Sequence, residues 1–147
     1  MGLLERNGEV RARLVANVQM NTLQPQVELH IEQGSNVYTD AYVSYKQLDQ
    51  QYIHNVINHA VEYVRGNVHT NGIENFWALL KRSIKGIYVS VEPFHLFRYV
   101  DEQSFRFNTR KATDADRSIQ ASLAITGKRL TFDELTGKEP AGYQTTH

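Results

Sequence analysis

Hydrophobic and polar residues alternate near the start of the chain. The apolar positions of this alternation are Val10, Ala12, Leu14 and Ala16. A period of two residues is typical of a strand that buries one face. Residues 6–8, Arg-Asn-Gly, have the composition of a tight turn. The pattern therefore predicts an antiparallel hairpin with strands at 2–5 and 9–18.

The period then lengthens to four residues, which indicates a helix. Its apolar positions are Leu23, Val27 and Ile31. They predict a helix over 22–33 that ends at Gly34. Residues 36–40 form a short apolar run that stops on a carboxylate, and this run predicts a buried strand. A helix over 42–51 and a short strand over 54–59 are predicted next.

The clearest helical pattern covers residues 69–82, HTNGIENFWALLKR. At about 3.6 residues per turn it separates into two faces, and Gly86 is its predicted end. The apolar face carries Ile73, Trp77, Leu80 and Ile84. The other face carries Glu74, Ala78, Lys81 and Lys85. One face can therefore anchor the helix while a carboxylate and an ammonium group, two turns apart, contact a ligand.

A purely structural interpretation of this segment stays open. Asn71 and Glu74 have the spacing of a capping box, in which the first residue caps the helix and the glutamate bonds back to it. Such a box needs no further function. The local pattern does not decide between capping and catalysis.

The second half of the chain predicts helices only. Pro93 fits the first turn of a helix that runs to Arg106. Residues 111–116 are polar and indicate a linker. Two modest helices are predicted beyond it, near 119–125 and 132–135.

Composition limits the class of protein. With 147 residues, 41% of them hydrophobic, the chain can bury one core, so we predict a domain over 1–111 and a helical tail over 112–147. The 16 basic and 16 acidic side chains cancel, although a local basic strip can still bind phosphates. Without cysteine there is no disulfide or thiolate metal site. No apolar run has membrane-spanning length and no signal peptide is evident, so we expect a cytoplasmic protein without a membrane partner.

The order of the predicted elements favours a mixed α/β sheet flanked by helices. In such a fold Asp40, at the end of a strand, and Glu74, on a helix that crosses the sheet, could meet. Carboxylates in that position hold hard divalent cations and leave places open for phosphate oxygens and water. Two carboxylates are few for a site with two cations, and a third is normally needed.

Several segments carry a resemblance to a known family. In chain order they are LLERNGEVRA, VYTDAYVSY, NHAVEYVRGNVHTNGIENFWALLKR, GIY, HLFRYVDEQSFRFNTRK and GKRLTFDEL. Together they span most of the chain, which resembles the ISXO2-like transposase domain of the IS1595 group, within the DDE transposase and integrase superfamily. The resemblance implies an RNase H-like fold and the cutting and joining of DNA at insertion-sequence ends, assisted by Mg²⁺ or Mn²⁺.

The resemblance also implies roles for individual residues. Asp40 matches the family's second acidic residue, and Glu74 is the expected third. Asn71 competes for that third position, because members of the group end the triad in either Glu or Asn. We favour Glu74, since hard cations prefer charged oxygen ligands. The expected metal ligands are thus Asp40 with Glu74 or Asn71, and Lys81 is the expected basic companion in catalysis.

The chain departs from the family at the first catalytic aspartate. Relatives carry that residue upstream of the strand that corresponds to 2–6, whereas no Asp precedes Asp40 in this sequence. We therefore expect an N-terminally truncated transposase that lacks the first strand of its sheet and is inactive alone. Relatives also commonly have His after the Tyr that corresponds to Tyr88, where this chain has Val89.

Basic residues near the predicted catalytic helix are the expected contacts to DNA phosphates. They are Arg65, His69, Lys81, Arg82 and Lys85. A solvated surface is the alternative interpretation of this strip. Phe76 and Trp77 could stack on an extruded base, but their position on the helix favours packing in the core.

Two classes of function follow. The first is a metal-dependent transposase domain whose partners are insertion-sequence ends and target DNA. The alternative is a non-catalytic remnant that binds DNA or interacts with a full-length transposase, and the missing first aspartate favours it. A homo-oligomer is compatible with both classes.

Overall fold

The protein is described by a computed structural model that covers residues 1–40, 48–57, 71–88 and 90–137. Its contacts divide the chain into two compact units, Met1–Asn108 and a second that begins at Thr109. The first unit contains all the strands of the described residues and three of the α-helices. The second unit is helical in its described part.

The predicted hairpin is present, but its second strand is short. β1 (Gly2–Leu4) pairs antiparallel with β2 (Val10–Ala12). Beyond the strands, Met1 and Arg13 still exchange backbone hydrogen bonds of 2.8 and 2.9 Å. The predicted continuation of the second strand to residue 18 is wrong, because β1 offers it no further partner.

The predicted first helix is also shorter than its pattern. α1 (Met20–His30) ends where the N–H of Ile31 donates to the carbonyl of Val27 at 2.8 Å. The chain then turns at Gly34, whose φ of 81° lies in the left-handed region that glycine tolerates best. The predicted break at this glycine is confirmed.

The two strands that follow run parallel to each other. β3 (Asn36–Asp40) pairs with β4 (Ile53–Ile57), and Asp40 lies opposite Ile57. Both predicted strands are confirmed, the second with slightly shifted ends. Of the helix predicted over 42–51, residues 42–47 lie outside the described residues, and Leu48–Gln50 form a 3₁₀ turn.

The helices of the second half agree with the pattern. α2 (Asn71–Gly86) ends at the predicted glycine. A 3₁₀ turn, Pro93–His95, leads into α3 (Leu96–Asn108), because the fixed φ of proline suits a first helical turn. The second unit contains α4 (Asp114–Ile125) and α5 (Phe132–Thr136). The predicted linker over 111–116 is wrong from residue 114 onward, because the Thr113 side chain caps α4 by accepting the N–H of Asp116.

Alternation along β1 sends its side chains into two cores. Leu3 packs against the first core, on the side of α1. The buried residues of this core are Val27, Val37, Leu48 and Tyr52. Leu4 packs against the second core, on the side of α2 and α3. The buried residues of this core are Val10, Phe76 and Phe107. The strand layer therefore has an α1 face and an α2 face.

The α/β class is confirmed, but the predicted single mixed sheet is not. Among the described residues the strands form two separate two-stranded sheets. The pairing directs the main-chain groups of Gly2 and Leu4 away from β2, and those of Asn36 and Tyr38 away from β4. These outer edges of β1 and β3 are not paired with each other, so the α1 core is what joins the two sheets.

One side chain of α3 fixes the hairpin in place. Asn108 accepts the N–H of Val10 at 2.8 Å and donates to the carbonyl of the same residue at 3.0 Å. The side-chain amide of Asn108 thus makes the two hydrogen bonds to Val10 that a neighbouring strand would make. It satisfies both main-chain groups of a residue whose side chain is buried.

Asn108→Ala is expected to lower the free energy of unfolding by about 2–4 kcal/mol, because both main-chain groups of Val10 lose their partner. Urea denaturation measures the change. The control is Asn75→Ala at an exposed position of α2, which is expected to change the stability by no more than about 0.5 kcal/mol. Similar losses for the two variants would contradict the role given to Asn108.

Candidate active site

Asp40 lies at the carboxyl end of β3 with its side chain exposed. Val37 of the same strand packs in the α1 core. Because side chains alternate along a strand, Asp40 leaves β3 on the side opposite the α1 core. The helix α2 packs on the other sheet, against the hairpin of β1 and β2.

α2 carries the second predicted carboxylate on its solvent side. Glu74 lies in the first turn, where the helix dipole favours a negative charge. The exposed residues of the predicted polar face are Glu74, Ala78, Lys81 and Lys85. The opposite side has Leu80 buried and Ile73, Trp77 and Ile84 half-buried. Both predicted faces of the helix are confirmed.

Aromatic packing anchors α2 to the strand layer. The Phe76 side chain is 0% exposed. Its ring meets those of Trp77 and Phe107 edge to face, with centroids 4.9 and 5.6 Å apart. Core packing, the favoured interpretation of these aromatics, is therefore confirmed for Phe76, and Trp77 packs against the same core.

Two glycines let α2 approach β1 closely. A Cβ at Gly72 would lie 2.5 Å from Leu4 Cδ2, and a Cβ at Gly2 would lie 2.6 Å from Trp77 Cζ2. Larger residues at either position would have to displace their neighbour. Because these glycines have no side chain, α2, which carries Glu74, can lie close to β1.

Asn71, the competitor for the third catalytic position, is the first residue of α2 and is exposed. The residue before it lies outside the described residues, so the capping interpretation stays a prediction. A complete capping box stands instead at the start of α5. There Glu134 accepts the N–H of Thr131 at 2.7 Å, while the hydroxyl of Thr131 accepts the N–H of Glu134 at 3.3 Å. The Thr-x-x-Glu pattern at this place could have predicted it.

Thr39 and His54 tie the ends of β3 and β4 together. The hydroxyl of Thr39 donates to the carbonyl of Asp40 at 2.9 Å and lies 2.7 Å from Nε2 of His54. Since the hydroxyl has one proton to give, Nε2 of His54 is the donor in the second bond. Both side chains leave their strands on the α1 face, because they share the alternation of Val37. They support the strand that carries Asp40 from the side opposite its carboxylate.

Arg6 is a candidate that the sequence analysis missed. Its guanidinium carbon lies 4.9 Å from the centre of the Tyr38 ring. Tyr38 is two residues before Asp40, so both side chains leave β3 on the same face. The Arg6-Asn7-Gly8 turn gave no sign of the contact between Arg6 and Tyr38, because it joins two segments that are distant in the sequence and do not pair as strands.

The residues predicted to contact DNA phosphates are described in part. Lys81, Arg82 and Lys85 are exposed near the C-terminal end of α2. Arg65 and His69 lie outside the described residues. The described part of the strip continues along the helix from the position of Glu74, so a phosphate backbone following it would pass the carboxylate.

A hydrogen-bonded group ties the end of α2 to α3. Tyr88 donates to Glu102 at 2.7 Å, and Nε of Arg106 donates to the same carboxylate at 2.9 Å. The bond from Tyr88 holds the pKa of Glu102 below its usual value, with a further contribution from Arg106. The same bond is the main cause that raises the pKa of Tyr88. These hydrogen bonds therefore fix the orientation of the basic C-terminal end of α2 relative to α3.

The candidate ligands are of the chemical type that binds a hard cation, but there are fewer of them than a complete metal site needs. Asp40, Glu74 and Asn71 offer carboxylate and amide oxygens, the ligands that Mg²⁺ and Mn²⁺ accept. Within the described ranges, no group of three or more His, Asp or Glu side chains is arranged to hold a metal ion. The residues therefore fit part of a metal site.

In residues 1–40, 48–57, 71–88 and 90–137, no helix combines the length and the apolar character that crossing a membrane requires.

Comparisons with known proteins identify the family. The family described as "ISXO2-like transposase domain" matches residues 1–108. An "Uncharacterized transposase-like protein" of Haemophilus influenzae (strain ATCC 51907 / DSM 11121 / KW20 / Rd) is 35% identical over 96 residues, which are 65% of this chain and 77% of the relative. No solved structure matches the chain significantly. The chain therefore belongs to the ISXO2-like transposase family.

Proposed function

We propose that this chain is the catalytic domain of a DNA transposase, with an RNase H-like fold, and that it needs a further aspartate for activity. The observation that carries the proposal is the placement of the two predicted carboxylates in one compact unit. Asp40 ends β3 on the side opposite the α1 core, and Glu74 is exposed in the first turn of the helix that packs on the hairpin. Family membership supports the reaction class.

The open strand edges support the fold. An RNase H-like domain has one continuous sheet, and here the main-chain groups of alternate residues of β1 and β3 point away from the strands with which they pair. One extended segment between them would join the two sheets. An aspartate on that segment would leave it next to Asp40, which makes it the natural source of the missing ligand.

The residues of the chain then have separate tasks. Asp40 and Glu74 would hold Mg²⁺ or Mn²⁺, with Asn71 as a neutral ligand or as the replacement for Glu74. The bound cations supply activation of the attacking oxygen and stabilisation of the leaving oxygen. Lys81, two turns after Glu74, neutralises charge on the DNA phosphate. Phe76 and the glycine contacts keep this helix in register with the strands.

DNA is the expected partner of the solvent side of α2. Lys81, Arg82 and Lys85 would contact successive phosphates, and Arg6 would add a cation close to Asp40. Contacts to phosphates contribute to DNA affinity but do not distinguish one base sequence from another. Recognition of the insertion-sequence ends must therefore come from other groups.

A non-catalytic function is the second candidate, and one observation favours it. No aspartate lies in residues 1–39, so residues 1–147 supply two of the three acidic ligands that the proposed site would use. A chain of that kind can still bind DNA through α2 or pair with an intact transposase through the open edges of β1 and β3.

Titration of Mg²⁺ or Mn²⁺ into the protein, followed by backbone amide NMR, tests the metal site. We expect saturable shifts, or broadening with Mn²⁺, centred on Asp40, Asn71 and Glu74, because two carboxylates still attract a divalent cation. Glu74→Gln should weaken the response at least about tenfold, a change of about 1.4 kcal/mol. The control Glu92→Gln, an equal change at an exposed site before α3, should leave it unchanged. If neither cation shifts or broadens the amide signals of these residues as a group, the result would contradict the metal site and favour the non-catalytic function.

A further inference from the structure

The helix α4 of the second unit leaves its apolar side chains exposed. Ile119, Leu123 and Ile125 are 59%, 70% and 69% exposed. No residue of α4 or α5 is buried, whereas the buried hydrophobic residues of the described ranges all lie in the first unit. A helix of 12 residues is marginally stable in water unless other groups pack against it. We therefore expect α4 to gain stability from a partner.

One side of α4 forms a continuous stripe of apolar and small residues. Ala115, Ile119 and Leu123 follow one another at intervals of four residues. Ser122 and Thr126 lie on the same side of the helix, since they are seven and eleven residues after Ala115. All five side chains are exposed. The small residues between Ile119 and the ends of the stripe would let a second helix approach closely.

The polar groups of this stripe already have partners within the helix. The hydroxyl of Ser122 donates to the carbonyl one turn earlier at 2.9 Å. The hydroxyl of Thr126 donates to the carbonyl of Ser122, also at 2.9 Å. Burying a polar group costs most when it is left without a hydrogen bond. The stripe can therefore be covered by an apolar partner without leaving a donor unpaired.

The two ends of α4 carry charges of opposite sign. Asp114 and Asp116 lie in the first turn, and Lys128 and Arg129 follow shortly after the last residue, Ile125. Two copies of the helix that pack antiparallel bring the acidic end of each to the basic end of the other, and their dipoles also oppose favourably. A parallel pair would bring like charges together. The charges therefore favour a second copy of α4, in antiparallel orientation, as the partner.

The stripe and the charges agree on one register. If Ile119 of one copy lies opposite Leu123 of the second copy, the twofold axis passes at the level of Ala121. The same register places Asp116 at the level of Thr126 of the second copy. The basic pair follows that position by two and three residues, a distance that long basic side chains can span. The surface is thus complementary to itself, as the interface of a symmetric dimer must be.

We propose that α4 is a dimerisation helix and that two copies of this chain pair through it in antiparallel orientation. Burial of Ile119 and Leu123 from both copies drives the association. Two helices of this length cover less area than a permanent dimer usually buries, so monomers and dimers exchange. The interface lies in the second unit and needs neither a cation nor DNA. It therefore stands or fails separately from the proposed function.

Sedimentation of the whole chain tests the association, at total concentrations on the order of 1 µM to 1 mM. We expect an average mass that rises with concentration from the monomer towards the dimer. Leu123→Gln should weaken the dimer about tenfold or more, because each dimer loses two buried leucines. The matched control is Leu29→Gln on α1, since Leu29 is 69% exposed and Leu123 is 70% exposed. The control should leave the dissociation constant unchanged, and circular dichroism verifies that both variants keep their helices.

Cross-linking tests the orientation without removing an apolar contact. The chain has no cysteine, so added cysteines are the only thiols. Ala115→Cys and Thr126→Cys place a thiol near opposite ends of the stripe. Under mild oxidation, a mixture of the two variants should form disulfide-linked dimers at least several times faster than either variant alone, because antiparallel helices bring unlike ends together.

Three results would overturn the proposal. A chain that sediments as a monomer at every concentration would mean that the stripe is covered by other residues of its own chain or by a different protein. Equal dissociation constants for Leu123→Gln and Leu29→Gln, both folded, would place the dimer contact elsewhere, for example at the open edges of β1 and β3. If each cysteine variant cross-links with itself as fast as with the other, the antiparallel pairing is wrong.

Discussion

Phe76→Ala is expected to lower the free energy of unfolding by about 3–5 kcal/mol. The Phe76 ring is 0% exposed and fills the space between α2, α3 and the hairpin. Its loss removes two edge-to-face ring contacts and leaves a cavity beside Val10. Domains of this size are commonly stable by about 5–15 kcal/mol, so the variant loses a large part of its stability.

Urea denaturation followed by the fluorescence of Trp77, the single tryptophan of the chain, measures this loss. Trp77 lies next to the deleted ring, so circular dichroism should be recorded in parallel. The matched control is Phe94→Ala, because the Phe94 side chain is 52% exposed. It is expected to cost less than about 1 kcal/mol. Equal losses for the two variants would mean that α2 is not held by this core.

The Phe76 core is also where sequence and structure agree best. The 3.6-residue period of α2 is strong and long, so both of its faces could be predicted from local spacing. The end at Gly86 and the start of the next helical segment at Pro93 follow from the properties of single residues. These features need no knowledge of what packs against the helix.

The strands could be predicted less well, because a strand needs a partner that its own sequence does not specify. Alternation continues to residue 18, but β2 ends at Ala12 where β1 ends its pairing. The sequence also favoured one sheet, whereas the described strands form two. Pairing depends on contacts between distant segments, and a local pattern carries no information about them.

The same reason explains the site residues that were missed. Arg6 lies over Tyr38 only in the folded protein, because the two residues are distant in the sequence. In the sequence Arg6 looks like an ordinary surface charge. Asp40 and Glu74 could be predicted as candidates because a carboxylate at the end of a strand and another at the start of a helix are features of the local sequence.

The largest expected effect concerns catalysis. Residues 1–147 alone are expected to give no cleavage of supercoiled DNA with Mg²⁺ or Mn²⁺, because they supply two of the three acidic ligands of the proposed metal site. In a longer version of the protein, a segment from a relative that carries an aspartate is added before Met1. This added segment should form a strand that pairs with the open edges of β1 and β3. That version should cleave DNA in the presence of either cation.

Within the extended version, Asp40→Asn should reduce the cleavage rate on the order of 10³-fold. A neutral amide holds the cation less well, and a loss of several kcal/mol of transition-state stabilisation corresponds to this factor. Glu74→Gln should have a similar effect if Glu74 is the third ligand. If Asn71 has that place, Asn71→Ala should have the larger effect. The control is Glu92→Gln, and DNA affinity should be the same in all variants, since the lysines and arginines of α2 are unchanged.

Two results would decide against this account. Metal-dependent cleavage by the unextended chain, abolished by Asp40→Asn, would mean that its own residues complete the metal site. If Asp40→Asn leaves the cleavage rate of the extended version unchanged, Asp40 is not part of the active site. If the extension folds into the sheet, as restored amide protection at Gly2 and Tyr38 would report, and still no cleavage occurs, the geometry favours the binding function. The open edges of β1 and β3 would then serve to pair this domain with another transposase.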